Sequence, residues 1–364
     1  MDRIYLAMVG AVGCGLTNQL YSLVNSLVIA HTEHKRFVIL NEFNQNYNSS
    51  SCCPVSDIID MDHLNKQIES LGLTVFDKNY VTMNITSVKY GTYFEVIDIS
   101  SEINEKFIRD GKLVIRKGTN FNDIGGDPTP GKHKKLFIRY FINEISDEVT
   151  YDEYISQDII FDLSRLPQGD MFNSINKYNT PLFVNILQNL KFTPIFYDLS
   201  SNFVRNLGIE SVNVIHLRNE EDALPFWGTI NNMPAFEFKR VLNDKYISLI
   251  QRYFNKDIPI LILTGNIQND VIKFLIDNDY KFYVSDKTLI LNAGSPRLIN
   301  GRETNAIIDL LIGEHCNSVF IGCVNPENFH GSTFSYMLWK RMNPHVRKVL
   351  IDLDEIKRNE FVVY

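Results

Sequence analysis

The chain alternates short apolar runs with amphipathic segments, which is typical of a protein in which strands and helices follow one another. Near the N-terminus, the apolar run 4–9 predicts a strand, helical spacing of apolar positions over 18–31 predicts a helix, and the run 37–41 predicts a second strand. A strand, a helix and a strand in this order form a unit with a parallel sheet. The first segment of the chain is therefore predicted to be α/β.

The C-terminal half has a more regular pattern. Apolar runs at 211–217, 258–264, 281–284, 318–321 and 348–352 alternate with amphipathic segments at 234–254, 269–277, 303–314 and 332–342. Strands that alternate with helices at this spacing predict a doubly wound parallel sheet.

The region between these two patterns, residues 44–190, follows no simple period. Short alternating runs within 80–116 predict antiparallel strands, and the Gly- and Pro-rich stretch 123–133 predicts a loop. Apolar stretches near 134–145 and 171–190 predict two helices.

The length and composition indicate a globular protein of two domains. With 364 residues, 45% of them hydrophobic and 22% charged, the chain is neither disordered nor collagen-like. One domain usually comprises about 100–200 residues. We place the boundary within 191–207, which predicts an N-terminal α/β domain of 1–195 and a C-terminal Rossmann-like domain of 196–364, with both sheets facing a cleft.

Charge and cysteine content exclude several classes of partner. The chain has 36 Lys and Arg residues against 43 Asp and Glu, a net charge of −7, which argues against a nucleic-acid partner. Its 5 cysteines show no repeated spacing, so we expect reduced thiols rather than a disulfide framework. Neither a signal-peptide pattern nor a run of about 18 apolar residues is visible, so we expect a cytoplasmic protein without a membrane span.

The loop after the first predicted strand is rich in glycine. Gly10, Gly13 and Gly15 precede the first predicted helix. Glycines allow a tight turn and close approach of a ligand, and a helix N-terminus favours anionic groups. A dinucleotide-binding G-x-G-x-x-G motif would need a third glycine where Asn18 stands, which argues against a nicotinamide cofactor. The alternative is a turn that only the fold requires.

A charged segment follows the strand predicted at 211–217. His216, Arg218, Glu221 and Asp222 lie at its carboxyl end, where open α/β sheets place their ligand-binding groups. The planar fork of Arg218 suits a diphosphate. The acids could orient Arg218 or accept a proton from an attacking hydroxyl. A solvated charged loop, with the histidine packed at the strand end, is the alternative.

Two further candidates flank the strand predicted at 318–321. Ser332 or Thr333 is expected to cap the following helix, whose free N–H groups, together with the hydroxyl of Ser335, form a candidate phosphate site. Asp309 lies within an apolar helix, where a carboxylate needs a partner, and it could accept two N–H donors from a purine such as guanine. The alternatives are a plain helix cap and a boundary residue that faces water.

Four short motifs lie in these regions. They are Gly-x-Gly…Asn-Gln-Leu at 13–20, His-Leu-Arg-x-x-x-Asp at 216–222, Ala-Ile-Ile-Asp at 306–309 and Ser-Thr-Phe-Ser at 332–335. Together they resemble the GDP-fucose-dependent fucosyltransferases, a superfamily that includes protein O-fucosyltransferases and the α-1,2 and α-1,6 fucosyltransferases. The resemblance covers about 1–40 and 210–342 and implies a two-domain GT-B fold and an inverting, metal-independent transferase.

The resemblance also implies a role for each matching residue. Arg218 would hold the nucleotide diphosphate, and Asp309 would recognise guanine. For the donor, the resemblance also implies contacts from His216, Ser332, Thr333, Phe334 and Ser335. For the sugar and the acceptor, it implies contacts from Gly13, Gly15, Asn18 and Gln19. Asn18 is thereby a candidate catalytic residue. The glycine loop lacks the catalytic glutamate that some relatives carry, so Glu221 and Asp222 are the candidate bases.

We therefore expect an inverting glycosyltransferase that moves L-fucose from GDP-fucose onto a hydroxyl of a glycan or protein. The GDP-sugar would be a co-substrate, no cofactor or metal ion is expected, and the acceptor would be a glycan or glycoprotein. A GT-B transferase with another nucleotide-sugar donor and a non-catalytic GDP-binding homologue are the alternatives.

Overall fold

The secondary structure is taken from a computed structural model of the chain. It describes residues 3–10, 14–45, 51–164, 180–219, 221, 223–284, 302–325, 327, 330–357 and 362–363. The helices are α1 Leu16–Thr32, α2 Met61–Ile68, α3 Ser100–Phe107, α4 Asn122–Gly125, α5 Pro181–Asn189, α6 Pro194–Leu207, α7 Leu224–Ile230, α8 Ala235–Tyr253, α9 Asp270–Asp277, α10 Arg302–Glu314 and α11 Thr333–Arg341.

The strands are shorter than most of the helices. They are β1 Ile4–Ala7, β2 Phe37–Leu40, β3 Phe43–Asn44, β4 Cys52–Cys53, β5 Thr74–Asp77, β6 Met83–Gly91, β7 Val96–Asp98, β8 Ile108–Arg109, β9 Lys112–Ile115, β10 Lys135–Ile142, β11 Ile145–Asp152, β12 Ile159–Phe161, β13 Asn213–His216, β14 Ile260–Leu263, β15 Phe282–Val284, β16 Val319–Cys323, β17 Arg347–Ile351 and β18 Val362–Val363.

Two parallel sheets form the framework of the molecule. The first sheet has the order β1-β2-β5, and the second has the order β15-β14-β13-β16-β17-β18. All paired strands of these two sheets run parallel except β18, which is antiparallel to β17. The fold class is therefore α/β, as the alternation of strands and helices predicts.

The two parallel sheets share one layer of helices. A single apolar cluster contains side chains of β1 and β2, of α1, α5, α6, α10 and α11, and of the strands β13, β14 and β16. The outer face of the second sheet is covered by α7, α8 and α9. The outer face of the first sheet is covered by the antiparallel sheets β11-β10-β6-β7 and β12-β9-β8. The helix layer is thus buried from both sides.

The sequence of helix α1 suits burial between two sheets. Its leucines and valines, such as Leu20, Leu23 and Leu27, are fully buried. The small polar residues Ser22 and Ser26 on its other faces are buried as well. A helix between two sheets buries nearly all of its surface, and short side chains allow close packing there.

The elements predicted for the C-terminal half are confirmed. Strands β13 to β17 and helices α8 to α11 lie at the predicted positions, with ends that differ by one or two residues in most cases. The predicted domain boundary after residue 195 falls in the first turn of α6, which packs against α10. The division into 1–195 and 196–364 stays a prediction.

The helix predicted at 134–145 is wrong. This stretch forms β10, which pairs antiparallel with both β6 and β11. Leu136, Ile138, Tyr140 and Ile142 are buried at every second position, as a strand requires. A short apolar run does not distinguish a strand from a helix by its period alone, and the β-branched and aromatic residues favour the strand. The second helix, predicted near 171–190, is confirmed in its C-terminal part by α5, Pro181–Asn189. Residues 171–179 lie outside the described part of the chain.

Candidate functional site

The direction in which successive strands are added to the second sheet reverses between β13 and β16. The chain proceeds outward from β13 to β14 and β15, and then returns to the other side of β13 with β16 and β17. The carboxyl ends of β13 and β16 therefore stand side by side where their connections diverge. This is the position at which open α/β sheets bind ligands.

A cavity of about 430 Å³ lies at this point, within the size range of small-molecule sites. Its walls come from both halves of the chain. The lining residues are Gly15, Leu16, Thr17, Asn18, His216, Arg218, Ala223, Phe226, Trp227, Leu263, Thr264, Gly265, Glu303, Ala306, Asp309, Gly331, Ser332, Thr333 and Phe334.

The cavity brings together most of the residues that the sequence marks as candidates. Gly15 and Asn18 line it from the first half of the chain; His216, Arg218, Asp309, Ser332, Thr333 and Phe334 line it from the second. Glu221 is exposed and is not among the lining residues. Gly13 and Asp222 lie outside the described residues.

The imidazole of His216 is held by Ser335 and Phe334. Its Nδ1 lies 2.7 Å from Ser335 Oγ, and its ring centroid lies 4.8 Å from that of Phe334. Ser335 Oγ also accepts a hydrogen bond of 2.9 Å from the Cys323 N–H at the end of β16. Ser335 is fully buried and does not line the cavity, which differs from the implied role in phosphate binding. Its position makes it a support for the histidine ring.

Tyr246 of α8 holds the backbone at the end of β13. Its hydroxyl donates to the His216 carbonyl at 2.8 Å and accepts from the Arg218 N–H at 3.1 Å. The same hydroxyl lies 2.6 Å from Cys323 Sγ. The sequence does not predict this role, because Tyr246 lies at an apolar helix position and its partners are 28 or more residues away.

Two helices begin at the cavity, one from each half of the chain. Helix α1 begins at Leu16, and α11 begins at Thr333 after the N-cap Ser332, whose hydroxyl accepts from the Ser335 N–H. Thr17 Oγ1 and Thr333 Oγ1 lie 2.8 Å apart. Helix N-termini carry partial positive charge and free N–H groups, which attract an anion wherever no acid already caps them.

Glu303 joins the two halves of the chain at the wall of the cavity. It lies in the first turn of α10, is only 3% exposed, and accepts a hydrogen bond through Oε2 from the Leu16 N–H at the start of α1. Its own N–H donates to the Gln45 carbonyl at 3.2 Å. Burial, followed by the negative charge of Glu303, raises the pKa of the Cys14 thiol above its usual value. Sequence reasoning missed Glu303, whose partner Leu16 is 287 residues away.

Gln19 does not face the ligand space that the resemblance implied for it. Its side chain is fully buried and donates to the carbonyls of Cys14 and Asn44, both at 3.0 Å, while it accepts from the Asn44 N–H at 2.8 Å. This clip links Cys14, just before α1, to Asn44 at the end of β3. A Cβ at Gly10 would lie 2.5 Å from the Asn44 nitrogen and 2.7 Å from Gln19 Oε1, so the clip needs glycine there.

The charges of the cavity are unevenly placed. Among the described residues that line it, Arg218 is the one arginine or lysine, and Glu303 and Asp309 are the carboxylates. Asp309 is 8% exposed on α10. On the rim, Phe226 of α7 is 60% exposed and meets Trp227 edge to face, with ring centroids 4.9 Å apart. The cavity therefore offers a cation, two acids and an aromatic rim.

The described residues contain neither a cluster of metal ligands nor a membrane-spanning helix. Within the described ranges, no three His, Cys, Asp or Glu side chains come together as a metal site requires. No helix in the described part of the chain combines the length and apolarity needed to cross a membrane.

The fold and the cavity define an α/β protein with a ligand site at the switch point of its second parallel sheet. Over 96% of its length the chain is similar to 98% of POFUT1 in complex with GDP, with a TM-score of 0.47 and 10% identity. It is also similar to the fucosyltransferase NodZ from Bradyrhizobium, with a TM-score of 0.46, 9% identity and coverage of 100% of this chain and 99% of that one. No protein-family model and no curated protein sequence matches the chain.

Proposed function

We propose that the protein is an inverting glycosyltransferase that uses a GDP-sugar, with GDP-fucose as the donor and a hydroxyl of a glycan or protein as the acceptor. One observation carries the proposal. Arg218, the N-terminus of α11 and the carboxylate of Asp309 line the same cavity at the switch point of the second sheet. Arg218 and the N-terminus of α11 suit the diphosphate, and the carboxylate of Asp309 suits the N–H edge of a guanine base. This assignment agrees with the motif resemblance.

The chemistry of the donor explains the need for Arg218. The acceptor hydroxyl oxygen attacks C1 of the sugar from the face opposite the diphosphate, and the bond between C1 and the phosphate oxygen breaks. The electron pair of that bond leaves with GDP, so negative charge develops on the diphosphate. Arg218 and the free N–H groups at the start of α11 stabilise this charge, and such preorganised donors contribute most when water is excluded.

The proton of the acceptor hydroxyl needs a base. Of the two acids that the sequence offers, Glu221 is exposed and outside the cavity lining. Asp222, which lies outside the described residues, stays a prediction as the proton acceptor. No metal ion takes part in this scheme, because Arg218 and the helix N-terminus supply the positive charge.

The test is a thermal-shift titration with GDP, UDP, CDP and NAD on the wild type, on Arg218→Ala and on Arg205→Ala. Arg205 is an exposed arginine on α6 and serves as the matched control for the loss of one charge. A ligand at about 100 times its Kd stabilises a protein by about 2.7 kcal/mol, which shifts the melting temperature visibly.

We expect stabilisation by GDP in the wild type and in Arg205→Ala, and none in Arg218→Ala. Release of GDP from GDP-fucose in the presence of an acceptor then measures the transfer itself, and it should fall by about 100-fold or more in Arg218→Ala. Stabilisation by UDP in place of GDP would indicate another nucleotide-sugar donor. GDP binding without any transfer or hydrolysis would indicate a non-catalytic homologue.

A further inference from the structure

Two helix N-termini face one cavity, but they are capped differently. The start of α11 is capped by the neutral hydroxyl of Ser332, and Arg218 lines the same cavity. The start of α1 has no side-chain cap from its own N-cap residue, Gly15. Instead its first N–H, that of Leu16, donates to the carboxylate of Glu303. An ionised carboxylate at a helix N-terminus offsets the partial positive charge there, which amounts to about half an elementary charge.

Glu303 is buried, so its carboxylate requires compensating contacts. A carboxylate removed from water is costly unless a partner of opposite sign compensates it. Glu303 comes from α10 in the second half of the chain, yet its carboxylate accepts a hydrogen bond from the helix start of the first half. Its backbone N–H is tied to the first half as well, through Gln45. Both contacts hold the carboxylate at the wall of the cavity that α1 contributes.

We propose that Glu303 determines the orientation of the donor: its carboxylate excludes the diphosphate from the α1 N-terminus and confines it to Arg218 and the α11 N-terminus. The space beside Gly15 and Asn18 is then left to the uncharged sugar and to the acceptor hydroxyl. This inference rests on the proposed function, because it assigns a specificity-determining residue to the same site.

The physical reason is competition between two anion sites in one cavity. Without the charge of Glu303, the start of α1 would present an uncompensated helix dipole to the same ligand, although the Asn18 N–H stays bonded to the Gly15 carbonyl. A diphosphate could then bind at either end, and only one of the two poses directs C1 of the sugar to the acceptor. With Glu303 ionised, the second pose brings like charges together and is disfavoured.

The decisive variant is Glu303→Gln, which keeps the size of the side chain and an oxygen that can accept from Leu16 but removes the charge. The probes are inorganic pyrophosphate and GDP, measured by isothermal titration calorimetry. We expect Glu303→Gln to bind pyrophosphate about two- to fivefold more tightly than the wild type, the typical range of charge effects at helix N-termini. Asp62→Asn, an exposed acid in the first turn of α2, is the control for the same change in net charge and should leave the affinity unchanged.

A double variant separates the two anion sites. Arg218→Ala should bind pyrophosphate weakly, whereas Arg218→Ala combined with Glu303→Gln should regain measurable binding at the α1 N-terminus. With GDP-fucose, Glu303→Gln should lower kcat while KM does not rise, because nonproductive poses bind the donor without reaction. Glu303→Asp, which keeps the charge, should behave as the wild type toward pyrophosphate.

The outcomes that overturn the inference differ from those that overturn the proposed function. If the wild type binds neither GDP nor GDP-fucose, the proposed function fails. If the wild type binds GDP but Glu303→Gln binds pyrophosphate no more tightly, or the double variant binds no better than Arg218→Ala, the assignment of Glu303 fails alone. Glu303→Asn is the second neutral variant, to be used if the melting curve shows that Glu303→Gln does not fold.

Discussion

Thr17 Oγ1 and Thr333 Oγ1 lie 2.8 Å apart, so the first turns of α1 and α11 are bonded to each other across the cavity. Each helix follows a strand of a different parallel sheet. The Tyr21 hydroxyl adds a second link of 3.3 Å to the Thr333 carbonyl. Both helix starts are therefore positioned by one another as well as by their own sheets.

Replacement of either threonine by valine tests this link. Thr333→Val removes one hydroxyl and leaves that of Thr17, which is 6% exposed, without this partner. We expect each single variant to lower the free energy of unfolding by about 1–2 kcal/mol. The double variant should cost clearly less than the sum of the two, as measured by urea denaturation. Strict additivity would mean that the two hydroxyls do not interact.

Tyr246→Phe should weaken the site without touching the ligand. The variant leaves the His216 carbonyl and the Arg218 N–H without the hydroxyl that bridges them, in a buried place. A loss of about 1–3 kcal/mol in the free energy of unfolding is expected, together with weaker stabilisation by GDP. Tyr80→Phe is the control, because Tyr80 is 64% exposed. If GDP stabilises Tyr246→Phe as much as the wild type, the hydroxyl of Tyr246 does not position Arg218.

The two glycines that flank the glycine loop should respond differently to alanine. A Cβ at Gly10 would lie 2.5 Å from the Asn44 nitrogen, so Gly10→Ala should cost at least about 1–3 kcal/mol of stability. A Cβ at Gly15 would lie 3.7 Å from Glu303 Oε2, an ordinary contact distance, and φ is −70°. Gly15→Ala should therefore keep its melting temperature near that of the wild type. Equal loss in both variants would contradict the role of the clip.

A buried acid far from the cavity should make stability depend on acidic pH. Burial alone would raise the pKa of Glu153, but hydrogen bonds from the Tyr90 hydroxyl, the Lys134 N–H and the Lys134 ammonium outweigh it and hold the pKa below its usual 4.5. The stabilisation is complete above the unfolded-state pKa and is lost as pH falls through the lower folded-state pKa. Glu153→Gln should therefore lose less melting temperature than the wild type between pH 6 and pH 3.

The sequence predicts the C-terminal half well because its strands and helices alternate with short connections. The hydrophobic pattern of each strand or helix therefore extends over the whole element and identifies its type. It predicts β10 as a helix because the run from Lys135 to Ile142 is almost entirely apolar and short. The strand is decided by its pairing with β6 and β11, which no local period reveals.

The same distinction applies to the site. Arg218 and Thr333 follow the carboxyl ends of β13 and β16, so the rule for open sheets predicts that they lie close together, whereas Asp309 lies in the middle of α10 and only the motif resemblance indicates that it joins them. Glu303 and Tyr246 act through contacts with backbone atoms far along the chain, and nothing in their neighbourhood in the sequence indicates these partners. Gln19 and Ser335 lie within motifs that imply ligand contact, yet their hydrogen bonds hold the protein itself.

Helix α11 is attached at both of its ends to residues that precede position 195 in the chain. At its start it meets Thr17, and at its end Arg341 donates to the carbonyls of Leu187 and Leu190 at 3.0 and 2.6 Å, while Gln188 donates to the Lys340 carbonyl at 2.8 Å. A hinge motion that separates the two sheets would have to break all of these contacts together. We therefore expect the two sheets to move together, and the radius of gyration in solution to be the same with and without GDP.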